Sequence, residues 1–557
     1  MEKIIDVSPN SRRIALIEPL RERTYRTIWL ASLLSNFGQL IQGVGAAWEM
    51  TRLTSSAEMV ALVQTAITLP MMLAALPAGA IADMFDRRKV ALIGLGFACL
   101  SATGLTVLSS TGLVSPWALL AFCFLIGVGV TLYGPAWQAS IGEQVSAEHL
   151  PSAIALGSIS YNVARSFGPA IGGIIVATAG AVAAFAANAF FYIPLMLAFL
   201  FWRRPVKPSR LPPERIDRAI ISGMRYAFHS PPIRTVLVRS ALSGLAAASV
   251  SALTPLVARE LLHGTADTYG LLLGVYGVGA VAGAFAIGRV RASANPERAA
   301  RWLGLVNAVA MGVIGLSNHL LLTCTAMLAG GAAWMLLVAL LNVSVQLSAP
   351  RWVTARAVSC YTCALTGGIA FGAWGWGVAA SHLGITLALV LSGLAMAMTT
   401  LLGFVSPLPK VTQPEEELTE TLADPEVQLA LTPRSGPIVI EIDYRVDQAQ
   451  ARNYYGIMQQ IRSRRLRSGG FGWSLSRDVV DPELWTESYS CPTWGDYLRQ
   501  RSRTTQDDRE LQVAADAFHI GSPHGRVRRR LERPFGSVRW RPDSPDLNDE
   551  TLVIITP

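Results

Sequence analysis

The stretch LPAGAIADMFDRRKV, Leu76 to Val90, drives an apolar run into Asp83 and then crowds Asp86, Arg87, Arg88 and Lys89 together. Gly79 and Asp83 stand four residues apart, so on a helix they share one face. A glycine there permits close approach of a second helix, and a carboxylate there can engage an arginine or a helix N-terminus. Arg87, Arg88 and Lys89 would fill the tight turn that follows. Breaking such a cluster would release one block of helices from another, which is the action of a gate. A basic turn at the membrane surface accounts for the three bases but not for the Gly-x-x-x-Asp spacing before them.

Arg165 and Glu49 lie in other apolar runs, where charge is costly and functional by default. Arg165 could bind an anion, balance a carboxylate, serve proton coupling, or bond to helix carbonyls. Glu49 stands near the end of its run and could equally face water. Uncharged polar residues recur around them: Asn36, Gln39, Gln42, Gln64, Gln138, Asn162, Ser243, Asn342, Gln346 and Tyr361. Singly, each could serve a hydrogen bond between helices. As a set they suggest a polar pathway for a small molecule. Of the six cysteines, Cys360 and Cys363 form a CxxC with no second pair and no nearby histidines, so no metal or other cofactor is expected. No GxxxxGK[ST] is present, which argues against direct nucleotide drive.

These residues need elements to hold them. The chain has 557 residues, 51% hydrophobic and 15% charged, with the charge strongly segregated. Apolar stretches near the ~20-residue length of a bilayer-crossing helix recur from Arg26 to Ser406. They predict twelve spans: 26–50, 57–82, 89–110, 115–138, 152–178, 181–202, 235–258, 266–289, 300–317, 319–346, 357–380 and 383–406. Basic residues crowd the N-terminal segment and the loops near 83–89, 203–239, 289–301 and 351–356, whereas the opposite loops hold Arg52 and Arg259. Basic loops stay cytoplasmic, so both termini are expected inside the inner membrane. One loop on the basic side breaks the pattern, carrying Glu143, Glu148 and His149. The segment 1–25 shows no signal-peptide pattern, so the first hydrophobic helix is expected to direct insertion. Trp48, Trp117, Trp202 and Trp352 near span ends read as interface anchors.

The loop 203–234 splits the spans into halves 26–202 and 235–406, and its segment Glu214 to His229 reads as a basic amphipathic surface helix. Two halves imply a repeat. GAFAIGRVRAS from Gly283 echoes GAIADMFDRRK from Gly79, with Ile287 where Asp83 stands.

GAIADMFDRRK resembles the loop motif of the major facilitator superfamily, with Met84 in place of its first arginine and Asp86 in place of its glycine. Its ending resembles the subgroup of enterobactin-exporter-like and transmembrane-secretion-effector proteins. So do Trp29 to Asn36, Val44 to Ser56, Val60 to Pro70 and Tyr161 to Gly173. The resemblance implies a gating role for Gly79, Asp83, Arg87, Arg88 and Lys89. It also makes Arg165, Gly168, Pro169, Gly172 and Gly173 similar to the antiporter motif of superfamily exporters. Pro169 removes a helix hydrogen bond and suggests a kink, with the glycines admitting a partner helix. The fourth span lacks the arginine of many proton-coupled drug exporters, so proton antiport is implied without identifiable coupling residues.

Beyond the spans, 407–436 reads as a linker and 437–535 as a β-α-β-β-α-β domain of ferredoxin-like order. That domain resembles small dimeric antibiotic-biosynthesis monooxygenases, with Asn453, Trp473, Trp485, Trp494 and His519 as the residues an oxygenase would use. Trp473 and Trp494 read more simply as core or dimer-interface residues, and the domain as a regulatory or self-associating module. Residues 536–557 read as disordered. The net charge of +9, with its RVRRRLER run, suits anionic lipid and is not taken as a nucleic-acid site. The sequence thus predicts an all-α membrane protein of twelve helices in two halves with a soluble α+β domain. It is expected to export a siderophore-like metabolite or drug by alternating access. A monooxygenase tail and a non-transporting sensor or scaffold are the alternatives.

Overall fold

The computed structural model describes residues 18–146, 148–202, 224–293, 295–349, 353–408, 427–429, 431–432, 434–502, 506–521 and 526–532. The expectations for Trp352, for the C-terminal 536–557, and for most of the N-terminal segment, the central loop and the linker lie outside the described residues. The chain divides into two compact units. One holds 1–216, 235–344 and 359–410, and the other 217–234, 345–358 and 411–557.

Helices build the first unit. They run Arg23–Leu53 (α1), Ala57–Met84 (α2), Arg87–Ser110 (α3), Pro116–Gln144 (α4), Leu150–Phe201 (α5), Pro231–Leu256 (α6), Ala266–Ser293 (α7), Pro296–Leu316 (α8), Leu320–Ser348 (α9), Thr354–Leu383 (α10) and Ile385–Val405 (α11). Among the described residues ten helices are long and apolar enough to cross a membrane. The α1 helix falls outside that group, and α5, at 52 residues, is far longer than one crossing needs. Its backbone leaves helical angles at Gly180 (φ 79°, ψ 171°), a conformation open to glycine. The break therefore lies between the two predicted spans. The helix continues through Pro169.

Local chemistry sets the starts of these helices. Ser56 and Ser115 cap α2 and α4 by accepting hydrogen bonds from the Met59 and Ala118 N–H groups, and Pro116 occupies the first turn of α4. Small residues set the crossings. At the α3–α4 crossing a Cβ on Gly94 would lie 2.8 Å from the Gly129 carbonyl oxygen, so only glycine fits there.

The second unit carries an antiparallel sheet. Its elements are β1 (Ile438–Arg445), α12 (Ala451–Arg467), β2 (Phe471–Arg477), β3 (Leu484–Cys491), α13 (Trp494–Ser502), α14 (Gln506–Asp516) and β4 (Val527–Leu531). The strand order is β2-β3-β1-β4. Alternation along β1 turns Ile438, Ile440, Ile442 and Tyr444 into a core with Tyr454, Met458 and Ile461 of α12. Register shifts between Phe471 and Ser474, beside Gly472 at φ 63°.

Candidate gating and transport site

The turn between α2 and α3 is built on Asp86. Its carboxylate caps α3, accepting from the Arg88 N–H at 2.9 Å and the Lys89 N–H at 3.3 Å. The residue that departs from the superfamily pattern thus fixes the turn. Arg87 reaches α4, donating to the Glu143 carboxylate at 2.8 Å and the Ala139 carbonyl at 2.9 Å. Arg88 donates to the Leu200 carbonyl at the end of α5. Lys89 is exposed. These bonds tie α3, α4 and α5 together, and Glu143 is the acid that had broken the charge pattern. The Asp83 side chain is outside the described residues. No described atom lies within 4 Å of a Cβ built on Gly79, so no close helix approach forms at that glycine here.

Sequence reasoning missed the matching cluster of the second half. Asn295 caps α8 by accepting from the Glu297 N–H at 3.0 Å, with Pro296 next to it, as Asp86 does for α3. Glu297 is buried. It accepts from Arg239 of α6, from Arg301 Nε at 2.8 Å and from the Leu408 N–H at 2.8 Å. Arg301 also donates to the Gly403 carbonyl at 2.6 Å and stacks over Phe404, 3.8 Å from its ring centroid. The comparison of Gly79 with Gly283 stops at Ser293 and leaves out Asn295-Pro-Glu, where the second half places its acid.

The antiporter-like segment of α5 packs on α1 and α7. Gly168 and Gly172 seat Leu40, Ile41 and Val44 of α1, and Gly173 abuts Gly270 of α7 so closely that neither has room for a Cβ. Nearby, Trp48 stacks on Tyr269 at 6.2 Å, Arg259 donates to the Thr51 carbonyl, and the Glu58 N–H donates to the Ser381 hydroxyl at 3.0 Å. Thr65 donates to the Ala370 carbonyl at 2.9 Å. The halves are therefore joined around the end that carries Thr51 and Glu58. Arg165 lies two turns along α5 from Gly172, half-buried. Among the described residues it has no hydrogen-bond or ion-pair partner, while its charge reaches Tyr276 of α7.

The proposed pathway residues separate on inspection. Asn36 donates to Ser160 at 3.3 Å, linking α1 to α5. Gln42 is buried and accepts from Asn188, and Tyr361 is buried and donates to the Val338 carbonyl at 2.9 Å. Glu49 pairs with Arg52 at 3.2 Å on its own helix. Gln39, Gln64 and Asn342 are half-buried, Gln138 and Gln346 exposed, and the Asn162 side chain is outside the described residues. Trp202 is buried against Phe199 and half-buried Trp48 stacks on Tyr269, whereas Trp117 is 67% exposed.

In the second unit the five oxygenase candidates have separate surroundings. Asn453 is exposed, Trp494 is buried beside Tyr497, and His519 accepts from the Arg445 N–H at 2.9 Å. Trp473 donates to Glu487 at 3.0 Å, and Trp485 packs edge-on against Tyr454. Glu487, fully buried, is also bound by Arg465 at 3.1 Å. Burial pushes the Tyr444 hydroxyl up to about 12, with the Glu487 charge adding to it.

The fold is shared with known transporters. A bacterial homologue of the human lysosomal transporter Spinster, inward-facing and unoccupied, aligns with a TM-score of 0.54 at 15% identity, over 70% of this chain and 96% of that one. The D-xylose–proton symporter aligns at 0.56 and 13% identity, over 70% and 98%. The helical bundle thus has a fold found in multi-pass membrane transporters. Among curated relatives, the enterobactin exporter EntS of Shigella boydii serotype 18 is 28% identical over 301 residues, 52% of this chain and 70% of that protein. EntS of Citrobacter koseri is 27% identical over the same length. Residues 14–535 match the transmembrane secretion effector family, and the chain belongs to it. It is an efflux transporter of small molecules and not an enzyme.

Proposed function

We propose that the chain exports a small anionic organic molecule, of the catechol siderophore type, across the bacterial inner membrane by alternating access and proton antiport. Arg165 carries this reading. A half-buried guanidinium that has no hydrogen-bond or ion-pair partner among the described residues, on the helix that crosses α7, is suited to an anionic cargo. The relatives are enterobactin exporters; a guanidinium draws a catechol hydroxyl toward its anion, whereas it repels a drug-type cation.

Twelve spans follow from the ten apolar helices, the addition of α1, and the division of α5 at Gly180. With the basic loops cytoplasmic, both termini lie inside and the joined end is periplasmic. This conformer is then inward-facing. The strand order β2-β3-β1-β4 supports a ferredoxin-like tail. A second copy of the chain would pair with it through the sheet face bearing Glu441 and Asp443, which Arg530 and Arg528 already neutralise.

The test is proton flux in liposomes under an imposed pH gradient. Iron-free enterobactin should drive proton movement with the wild type and about tenfold less with Arg165→Gln, while Arg165→Lys retains part of it. Equal fluxes for the wild type and Arg165→Gln would remove the anion-binding role. A response to cationic dyes instead of enterobactin would overturn the cargo class.

A further inference from the structure

The second compact unit contains more than the tail. It includes 217–234, the end of the connection between the halves, and 345–358, the connection between α9 and α10. The contacts are specific. Arg225 donates to the Gly469 carbonyl at 3.0 Å, just past the C-terminus of α12, where free carbonyls attract a cation. Gly469 stands at φ 107° and ends that helix. The Arg467 guanidinium lies 5.0 Å from the Tyr226 ring centroid. Both Asp508 oxygens hold Arg467 in place, at 3.0 and 3.1 Å. Tyr226, Ala227 and Ser230 are all buried, and helix α6 begins at Pro231.

We propose that the C-terminal domain is a clamp on the connection between the halves, seating Tyr226 against the Arg467 that Asp508 holds and so restraining the alternating-access cycle. The physical argument is continuity. Only a few residues separate the buried Tyr226 from α6, and α6 carries Arg239 of the Glu297 cluster. A domain that fixes Tyr226 therefore fixes the entry of the second half. The clamp rests on the alternating-access reading given above but needs no cargo to be observed.

Hydrogen–deuterium exchange on the full chain in nanodiscs tests it. Tyr226→Ala should raise exchange of residues 224–230 by about tenfold. It should also raise exchange around Glu58, whose N–H bonds to Ser381 across the halves, by about threefold. Tyr226→Phe keeps the ring beside Arg467 and should raise exchange less than Tyr226→Ala. Unchanged exchange at 224–230 in Tyr226→Ala would show that the domain does not hold the connection. Release at 224–230 with no change around Glu58 would show that holding it does not restrain the halves. Either result overturns the clamp. Because exchange is read without cargo, a failure of enterobactin-driven proton flux would strike the transport reading separately.

Discussion

Glu297 offers the most direct energetic test of the second-half cluster. Its carboxylate accepts from Arg239, Arg301 and the Leu408 N–H, and its side chain and that of Arg239 are 8% and 7% exposed. Glu297→Ala leaves a buried guanidinium without its acceptor, a change that costs about 3–5 kcal/mol. Glu297→Gln keeps the shape and one acceptor oxygen, and should cost roughly half of that on the scale of charged hydrogen bonds, about 1.5–3 kcal/mol. Removing both charges with Arg239→Met and Glu297→Gln should recover part of the loss, because the more deeply buried cation is gone and Arg301, 30% exposed, keeps the Gly403 carbonyl. The expected coupling between the two sites is about 1–3 kcal/mol, favouring the pair. Equilibrium unfolding of the wild type, Arg239→Met, Glu297→Gln and the double variant in mixed micelles, followed by tryptophan fluorescence, measures it. Additivity to within about 0.5 kcal/mol would refute the reasoning, since it would mean that the two side chains do not depend on each other.

Three further outcomes are expected. Arg87→Glu should sharply lower enterobactin-driven proton flux by replacing the cation that now lies 2.8 Å from Glu143 with a like charge, and Arg87→Glu with Glu143→Arg should restore part of it; no rescue would show that the pair is not what Arg87 supplies. Gly173→Val should prevent closure at the Gly270 crossing and raise exchange around Glu58; wild-type exchange there would place the inter-half contact elsewhere. In the tail, burial, with the Asp496 charge second, pushes the Cys491 thiol from 9.0 up to about 12. The raised value means that the folded state favours the neutral thiol. Its contribution to stability is therefore complete below pH 9 and lost as the pH climbs toward 12. Alkylation of Cys491 should be slow at pH 8.5 in the folded chain and fast in urea; equal rates would contradict its burial.

Part of this protein was written in one dimension. The ten long apolar helices and the break at Gly180 follow from where apolar runs begin and end, because a bilayer imposes a length on each helix. The tail's element order was legible for a related reason, since the alternation of Ile438, Ile440 and Ile442 is the signature of a half-buried strand. The loop motif was visible as a charge cluster, yet Asp86 looked like a departure. Its function as a cap depends on backbone N–H groups that only the folded turn presents.

What tertiary structure decided were the partners. Nothing in the sequence joins Arg239 to Glu297, or Gln42 to Asn188, because residues 58 and 146 positions apart meet only when helices pack. The pathway list was too long for the same reason. Gln42 and Tyr361 carry the same side chains whether they face a cavity or a neighbouring helix, and packing turned both toward a neighbour. Arg165 stands on the other side of that distinction, since the fold brings it no partner among the described residues. Composition determined that the chain crosses a membrane. Which of its polar groups remain available to a passing molecule was decided by helix packing, because a hydrogen bond to a neighbouring helix uses the same atoms that would bind cargo.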